Sequence, residues 1–207
     1  MNVLELFSGT HSVGKICDSL GWSSTSLDLQ DADININILD WDYKEYPPHH
    51  FNIIWASPPC HTFSIARASN IGRPLKKYGM EIFTRQMLED DIINEGLPIL
   101  RKAEEIIDYF KPKYYFIENP QTGRMKDYLD RPFYDVDYCM YSNWGYKKRT
   151  RIFTNLEGFD PKLCNKQCDN MNGNRHRLRM SGDASLSLKE KYRIPPKLIE
   201  DLFILTI

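Results

Sequence analysis

No run of apolar residues in this chain is long enough to cross a bilayer, and no stretch reads as a signal peptide. An excess of one charge sign is also missing. The formal net charge is -1 over 207 residues, so no global field draws the chain onto nucleic acid or an anionic membrane. Any polyanion site has to be a local patch. Cysteines are few and odd in number, five in all. That argues against a disulfide framework and for a reduced, intracellular, soluble protein whose thiols are catalytic or metal-binding. The three-glycine dinucleotide fingerprint is absent, as are internal repeats and low-complexity stretches. The length suits one domain with a real core.

Short apolar runs alternate with helical periodicity. Val3–Phe7, Ser24–Leu27, Phe51–Ala56 and Tyr114–Ile117 read as strands, and residues 34–39 as a third short strand or extended turn. Lys15–Leu20 reads as a helix closed by Gly21. Apolar residues from Gln86 to Phe110 recur at helical spacing, with Pro98 expected to kink or split that helix and Lys111-Pro112 to end it. Residues 65–84 form a basic loop carrying Arg67, Arg73, Lys76 and Lys77. Tyr134–Met140 and Arg151–Thr154 look like a late antiparallel pair, 157–185 is polar and irregular, and Ile194–Ile207 reads as a terminal helix. The pattern predicts an α/β sheet with helices on both faces. Cys17 reads as core, and Trp22 and Trp41 fit core better than a ligand contact.

Two strand ends carry reactive side chains. Ser57-Pro58-Pro59-Cys60 places a thiol on a stiff turn after the fourth strand, and Glu118-Asn119-Pro120 ends the fifth. Open α/β sheets put their chemistry at this edge. A nucleophile and a carboxylic acid presented there suggest covalent chemistry with an acid partner. Asp28, at the end of the second strand, sits where a ribose hydroxyl would be gripped. Farther on, Cys164-x-x-x-Cys168 followed by His176 supplies three ligands of a tetrahedral zinc site, and Cys139 is the candidate fourth. A short Gly- and Asn-rich stretch cannot build its own core, so a metal staple there makes physical sense. Lys162, Lys166, Arg175, Arg177 and Arg179 make the same stretch the best local polyanion patch.

Taken together, these residues resemble the cytosine-C5 DNA methyltransferases. Leu4-Glu5-Leu6-Phe7-Ser8-Gly9 is similar to the first motif of that family, and Ser57-Pro58-Pro59-Cys60 with Phe63-Ser64 to its nucleophile motif. Glu118-Asn119-Pro120 is similar to the Glu-Asn-Val motif. Lys147-Lys148-Arg149-Thr150-Arg151 resembles Gln-x-Arg-x-Arg, with Lys147 in the Gln place. His11 and Ser12 stand where the family usually has glycines. The resemblance covers residues 3 to about 155 and, weakly, the last helix. It implies a Rossmann-like S-adenosylmethionine-dependent fold, mostly parallel with an antiparallel C-terminal strand pair. A catalytic domain is expected over 1–156 and 186–207, with a small basic Cys/His-containing insertion over 157–185 as a reduced target-recognition region that contacts DNA.

The same resemblance implies a reaction and a site. Cys60 would add to C6 of cytosine and Glu118 would donate a proton to N3. Arg149 and Arg151, facing one side of a strand, would serve the base oxygen, the thiolate, a phosphate or Glu118. S-adenosyl-L-methionine would lie against Phe7, Ser8, Gly9, Thr10, Ser12, Val13, Asp28, Leu29, Asn37, Ile38, Ser57 and Pro58, with Asn37 or Asp40 receiving the adenine amino group. The partner would be double-stranded DNA with the target cytosine flipped out, and the basic loop 65–84 would close over it. The expected protein is a monomer without membrane contact. Its compactness resembles the short enzymes of phages and large viruses, which implies the cytoplasm or nucleus of a host cell. Two other readings stay open: an RNA cytosine-C5 methyltransferase of the transfer-RNA type, and an inactive S-adenosylmethionine- or DNA-binding module.

Overall fold

The computed structural model describes residues 1–180 and 185–207. Seven strands share one sheet: β1 (Asn2–Leu6), β2 (Ser23–Asp28), β3 (Ile34–Asn35), β4 (Ile53–Ala56), β5 (Tyr114–Pro120), β6 (Phe133–Asp137) and β7 (Arg149–Thr154). Their order is β3-β2-β1-β4-β5-β7-β6. The five strands from β3 to β5 pair in parallel, and β7 runs antiparallel to both β5 and β6. A separate two-stranded hairpin joins β8 (Met171–Asn172) to β9 (Arg175–His176). The α/β architecture, its mostly parallel sheet and its late antiparallel pair are as the sequence pattern predicts.

The central strands are apolar almost throughout because both faces are covered. Alternate side chains serve opposite layers. Val3, Ile53, Trp55 and Phe116 pack with α1 (Ser12–Ser19) and, in the C-terminal segment, α6 (Pro196–Phe203). Leu4, Leu6, Ile54, Ala56 and Ile117 pack on the other side with Leu100, Ala103, Ile106 and Phe110. Trp22 stacks on Phe203, and Trp41 packs among Tyr43, Tyr46 and Phe110, so both tryptophans are structural. Cys17 is fully buried in the first layer.

Several elements differ from the sequence reading. Residues 34–39 contribute only the two-residue β3. The long helix is split, as expected, into α3 (Arg85–Asp91) and α4 (Leu97–Phe110), but by a π turn over Ile92–Gly96 and not at Pro98. Pro98 stands in the first turn of α4, where a missing N–H costs little. The wide turn brings the backbone at Gly96 against the loop that follows Cys60. A Cβ there would overlap Thr62 Oγ1 and come within 2.8 Å of the Phe63 ring.

The basic loop is not open. It contains α2 (Ile65–Ala68) and folds onto α3. Arg67, Lys77 and Tyr78 all converge on the buried Asp91. Burial pushes that carboxyl up, but its three partners outweigh burial and hold it below its ordinary value. Near the C-terminus a capping box, Ser187 with Glu190, starts α5 (Leu188–Tyr192), which periodicity did not announce. The expected insertion 157–185 is irregular apart from the β8-β9 hairpin, and its residues 181–184 lie outside the described residues.

Candidate active site

The C-terminal ends of β1, β2, β4 and β5 open on one cavity of about 350 Å³, the scale of a small-molecule site. Phe7, Ser8, Gly9, Thr10 and Ser12 line it from the first turn, Asp28 and Leu29 from β2, and Asn37 and Ile38 from the segment after β3. Ser57, Pro58, Pro59, Cys60 and His61 follow β4, and Glu118, Asn119 and Pro120 end β5. Of the residues that the resemblance assigns to a cofactor, only Val13 is missing from the lining. It is the second residue of α1, and its side chain is buried in the core. Asn37 lines the cavity and Asp40 does not.

The first turn has unusual backbone. Phe7, Gly9 and His11 have φ of 61°, 47° and 53°, the left-handed region that costs a residue with a Cβ about a kilocalorie or more. A side-chain–backbone bond anchors His11, whose Nε2 lies 2.5 Å from the Asp31 carbonyl oxygen. Asp28 ties the turn to β2, accepting from the Gly9 N–H at 2.9 Å and the Leu29 N–H at 2.6 Å.

Beneath the turn, Glu5 accepts from the N–H groups of Val13 and Gly14 at 3.1 and 2.9 Å, and so fills the donors at the start of α1. Burial raises its carboxyl to about 7, against the opposing pull of those two amides. Sequence reading placed Glu5 in a motif without giving it this role. Its position inside a strand, two residues before the turn, is the signal that could have found it.

The nucleophile turn is held at both ends. The Ser57 N–H donates to the Leu6 carbonyl at 3.1 Å, the Phe63 N–H to the Cys60 carbonyl at 3.1 Å, and Asn119 Nδ2 to the Pro58 carbonyl at 3.2 Å. Asn119 therefore joins the two strand ends that carry Cys60 and Glu118. Cys60 is half-buried. Burial pushes its thiol up, the Glu118 carboxylate adds to that, and the Lys148 ammonium partly offsets both. The resting group at neutral pH is the thiol, so the thiolate has to be drawn out by what binds.

Glu118 is buried, as its apolar lead-in predicts. Tyr138 Oη donates to it at 2.9 Å, and Lys148 Nζ lies 3.3 Å away with its side chain only 12% exposed. Neither partner was singled out from sequence. The two arginines that were expected here lie elsewhere. Arg149 makes a two-pronged pair with Asp137 at 3.0 and 2.7 Å. Arg151 does the same with Asp135 at 2.7 and 2.9 Å, and stacks 3.5 Å over the Phe133 ring. They share one face of β7, as the alternation predicts, but neither lines the cavity. Register explains it: Ile152 is the partner of Glu118 and Arg151 that of Asn119, so the Glu118 face of β7 takes the even-numbered residues. Lys148 is the cation on that face.

Cys139, Cys164, Cys168 and His176 come together away from this cavity, with their ligand atoms all within 4.8 Å of one another. The structure thus groups the four residues singled out as metal ligands.

No protein-family model matches the chain. Among solved structures, it is similar to a putative DNA modification methyltransferase encoded within an Escherichia coli prophage, with a TM-score of 0.48 and 12% identity over 79% of this chain and 51% of that one. It is also similar to an Entamoeba histolytica methyltransferase, with a TM-score of 0.45 and 16% identity over 86% and 57%. The chain thus spans about half the length of these solved structures. Among curated proteins, it is similar to the probable DNA (cytosine-5)-methyltransferase of Frog virus 3 (isolate Goorha). With 47% identity over 98% of both chains, this protein belongs to the DNA (cytosine-5)-methyltransferase family.

Proposed function

We propose that the protein transfers a methyl group from S-adenosylmethionine to C5 of cytosine in DNA, through a covalent bond between Cys60 Sγ and C6. The observation that carries this reading is the opening of Cys60 and Glu118 on the same cavity as the Phe7–Thr10 turn and Asp28.

The cavity fits the donor. Ser8 Oγ is buried in its wall with no partner among the described residues. Asp28 keeps lone pairs beyond the two amides it accepts, in reach of a diol. Ile36 and Ile38 offer apolar wall, and Asn37 Oδ1 accepts the Leu39 N–H at 3.0 Å and keeps a second lone pair for a ligand. Ser8, Asp28, Leu29, Asn37 and Ile38 would therefore hold the cofactor, which supplies an electrophilic methyl group when bound.

The remaining steps belong to the chain's own residues. Cys60 Sγ bonds to C6 as its thiol proton passes to the Glu118 carboxylate, and Glu118 delivers that proton to N3, which leaves C5 electron-rich. Lys148 favours the thiolate at one end of this exchange and balances the Glu118 carboxylate at the other. After the methyl group bonds to C5, the C5 proton departs to a base, the C6–S bond breaks and Glu118 takes back the N3 proton. One proton is released in all. Tyr138 and Asn119 are positioning residues, one for the acid and one for the nucleophile turn.

In this reading residues 1–156 and 186–207 form the catalytic domain. The segment 157–185, with Lys162, Lys166, Arg175 and Arg177 exposed among the described residues, meets the phosphates of duplex DNA around a flipped cytosine. Incubation with S-adenosylmethionine and duplex DNA carrying 5-fluorocytosine should give a protein–DNA adduct that survives denaturing electrophoresis. Cys60→Ser should abolish it. An adduct with transfer RNA in place of DNA would reassign the substrate. Cofactor binding with no adduct on either would make the protein a binding module.

A further inference from the structure

We infer that Cys139, Cys164, Cys168 and His176 form a structural zinc centre that fastens the basic segment to the catalytic strand pair. The Sγ atoms of Cys164 and Cys168 are 3.6 Å apart, and His176 Nε2 lies 3.5 and 3.4 Å from them. A tetrahedron with Zn–S near 2.3 Å and Zn–N near 2.05 Å has edges of about 3.8 Å between sulfurs and about 3.6 Å between sulfur and nitrogen. These three edges agree within about 0.2 Å, and Cys139 Sγ completes the set, with all four ligand atoms within 4.8 Å of one another. Three thiols cannot all pair as disulfides, and three sulfurs with one imidazole suit zinc in a closed, four-coordinate site.

The surroundings are built for the charge. Zinc with three thiolates carries one net negative charge. Asp137, fully buried beside it, adds another. It accepts the Cys164 N–H at 2.7 Å, which orients a ligand through its backbone. Arg149 and Lys147 meet Asp137 at 2.7 and 3.2 Å, so two cations balance two negative charges. This assigns a role to two basic residues that the methyl-transfer cavity leaves unused.

The four ligands come from three places: the turn after β6, the loop 164–168, and β9. Between them Asn170, itself buried, donates to the carbonyls of Cys139 and Ser142 at 2.9 and 2.7 Å and accepts the Gly145 N–H at 2.7 Å. Two strands of two residues each cannot hold such a segment, and metal binding supplies the missing free energy. Cys139 directly follows Tyr138, whose hydroxyl bonds Glu118, so the centre also steadies the acid's partner.

The test is metal content of the purified full chain by inductively coupled plasma mass spectrometry. About one zinc per chain is expected, falling below about a tenth in Cys168→Ser and unchanged in Cys60→Ser. Cys168 is only half-buried, which limits the packing cost of the change. Should Cys168→Ser fail to fold, an organomercurial titration of the wild-type protein with a zinc indicator decides: one zinc should be released as three thiols react. Wild-type protein without zinc even after refolding in its presence, stoichiometric iron instead, or metal retained in Cys168→Ser would overturn the proposal. None of these results depends on methyl transfer.

Discussion

Replacing Gly96 by alanine should damage the active site from behind. A Cβ at this position would overlap Thr62 Oγ1 and lie 2.8 Å from two carbons of the Phe63 ring, where carbon contacts normally start at about 3.5 Å. Both neighbours are buried, so neither can swing into solvent. Relief requires the loop to move by about 0.7 Å or the π turn to rewind. Overpacking of this kind costs about 1–3 kcal/mol, or on the order of 5 °C in the unfolding midpoint for a chain of this size. Thr62 and Phe63 follow Cys60 by two and three residues, so the movement reaches the thiol. Misplacement by about 1 Å can slow a positioned reaction about a hundredfold. Thermal unfolding and the rate of adduct formation on 5-fluorocytosine DNA measure the two effects. Thr62→Ala should recover part of the loss, because it removes one clash and a hydroxyl with no partner among the described residues. A Gly96→Ala protein as stable as wild type, or one that forms adduct at the wild-type rate, would refute the packing argument.

Four further outcomes are expected. Glu5, raised by burial from 4.5 to about 7, holds its proton longer in the folded state than in the unfolded one. Its contribution is therefore full below pH 4.5 and is lost as pH rises to about 7, a loss on the order of 3 kcal/mol at about 1.4 kcal/mol per pH unit. Denaturant titrations of wild type and Glu5→Gln across that window should converge or cross, and parallel curves would count against it. Lys148→Met removes the cation that offsets burial at Cys60, so adduct formation at pH 7 should slow by about tenfold and recover as pH rises; a pH-independent loss would contradict this. Arg151→Ala breaks the Asp135 pair and the Phe133 stack, costing about 1–2 kcal/mol, yet adduct rates should stay within about threefold; a hundredfold loss would put Arg151 in the site after all. Asp91→Asn leaves Arg67 and Lys77 without their buried anion, at about 3–5 kcal/mol. Limited proteolysis should then cut within 65–84, and an unchanged cleavage pattern would mean the loop is held by something else.

The parts that could be read from the sequence share one physical basis. β1, β4 and β5 are apolar runs because a doubly covered parallel strand has no polar face to show. Once those runs are found, the residues just after them are at the sheet's reactive edge, which is how Cys60 and Glu118 become visible. What stayed hidden depends on contacts between distant segments. The π turn at Ile92–Gly96 exists because the chain must pass close to Thr62 and Phe63, and periodicity within one helix contains nothing of that. The docking of 65–84 depends on Asp91, a carboxylate that looks like any exposed helical acid until three partners surround it. Tyr138 sits among aromatics that are mostly core, and only pairing of β6 with β7 brings its hydroxyl to Glu118.

The case of Lys148 against Arg149 and Arg151 shows where motif resemblance and strand geometry part. Alternation correctly puts the two arginines on one face, but which face depends on the register with β5, a long-range fact. Once Glu118 is set opposite Ile152, residues 148, 150 and 152 share its side and the arginines are committed to the other. There Asp135 and Asp137, presented by the next strand in matching register, neutralise them. Slipping β7 by one residue would return both arginines to the cavity side, but it would part them from Asp135 and Asp137 and take the two-pronged guanidinium away from the fully buried Asp137, at several kilocalories. The two acids on β6 therefore fix the register, and the register leaves Lys148 as the cation beside the catalytic acid. Reversing the pair as Asp135→Arg with Arg151→Asp should preserve both fold and adduct formation, whereas Asp135→Arg alone should cost several kilocalories. Equal stability of the single and double variants would show that the register is set elsewhere.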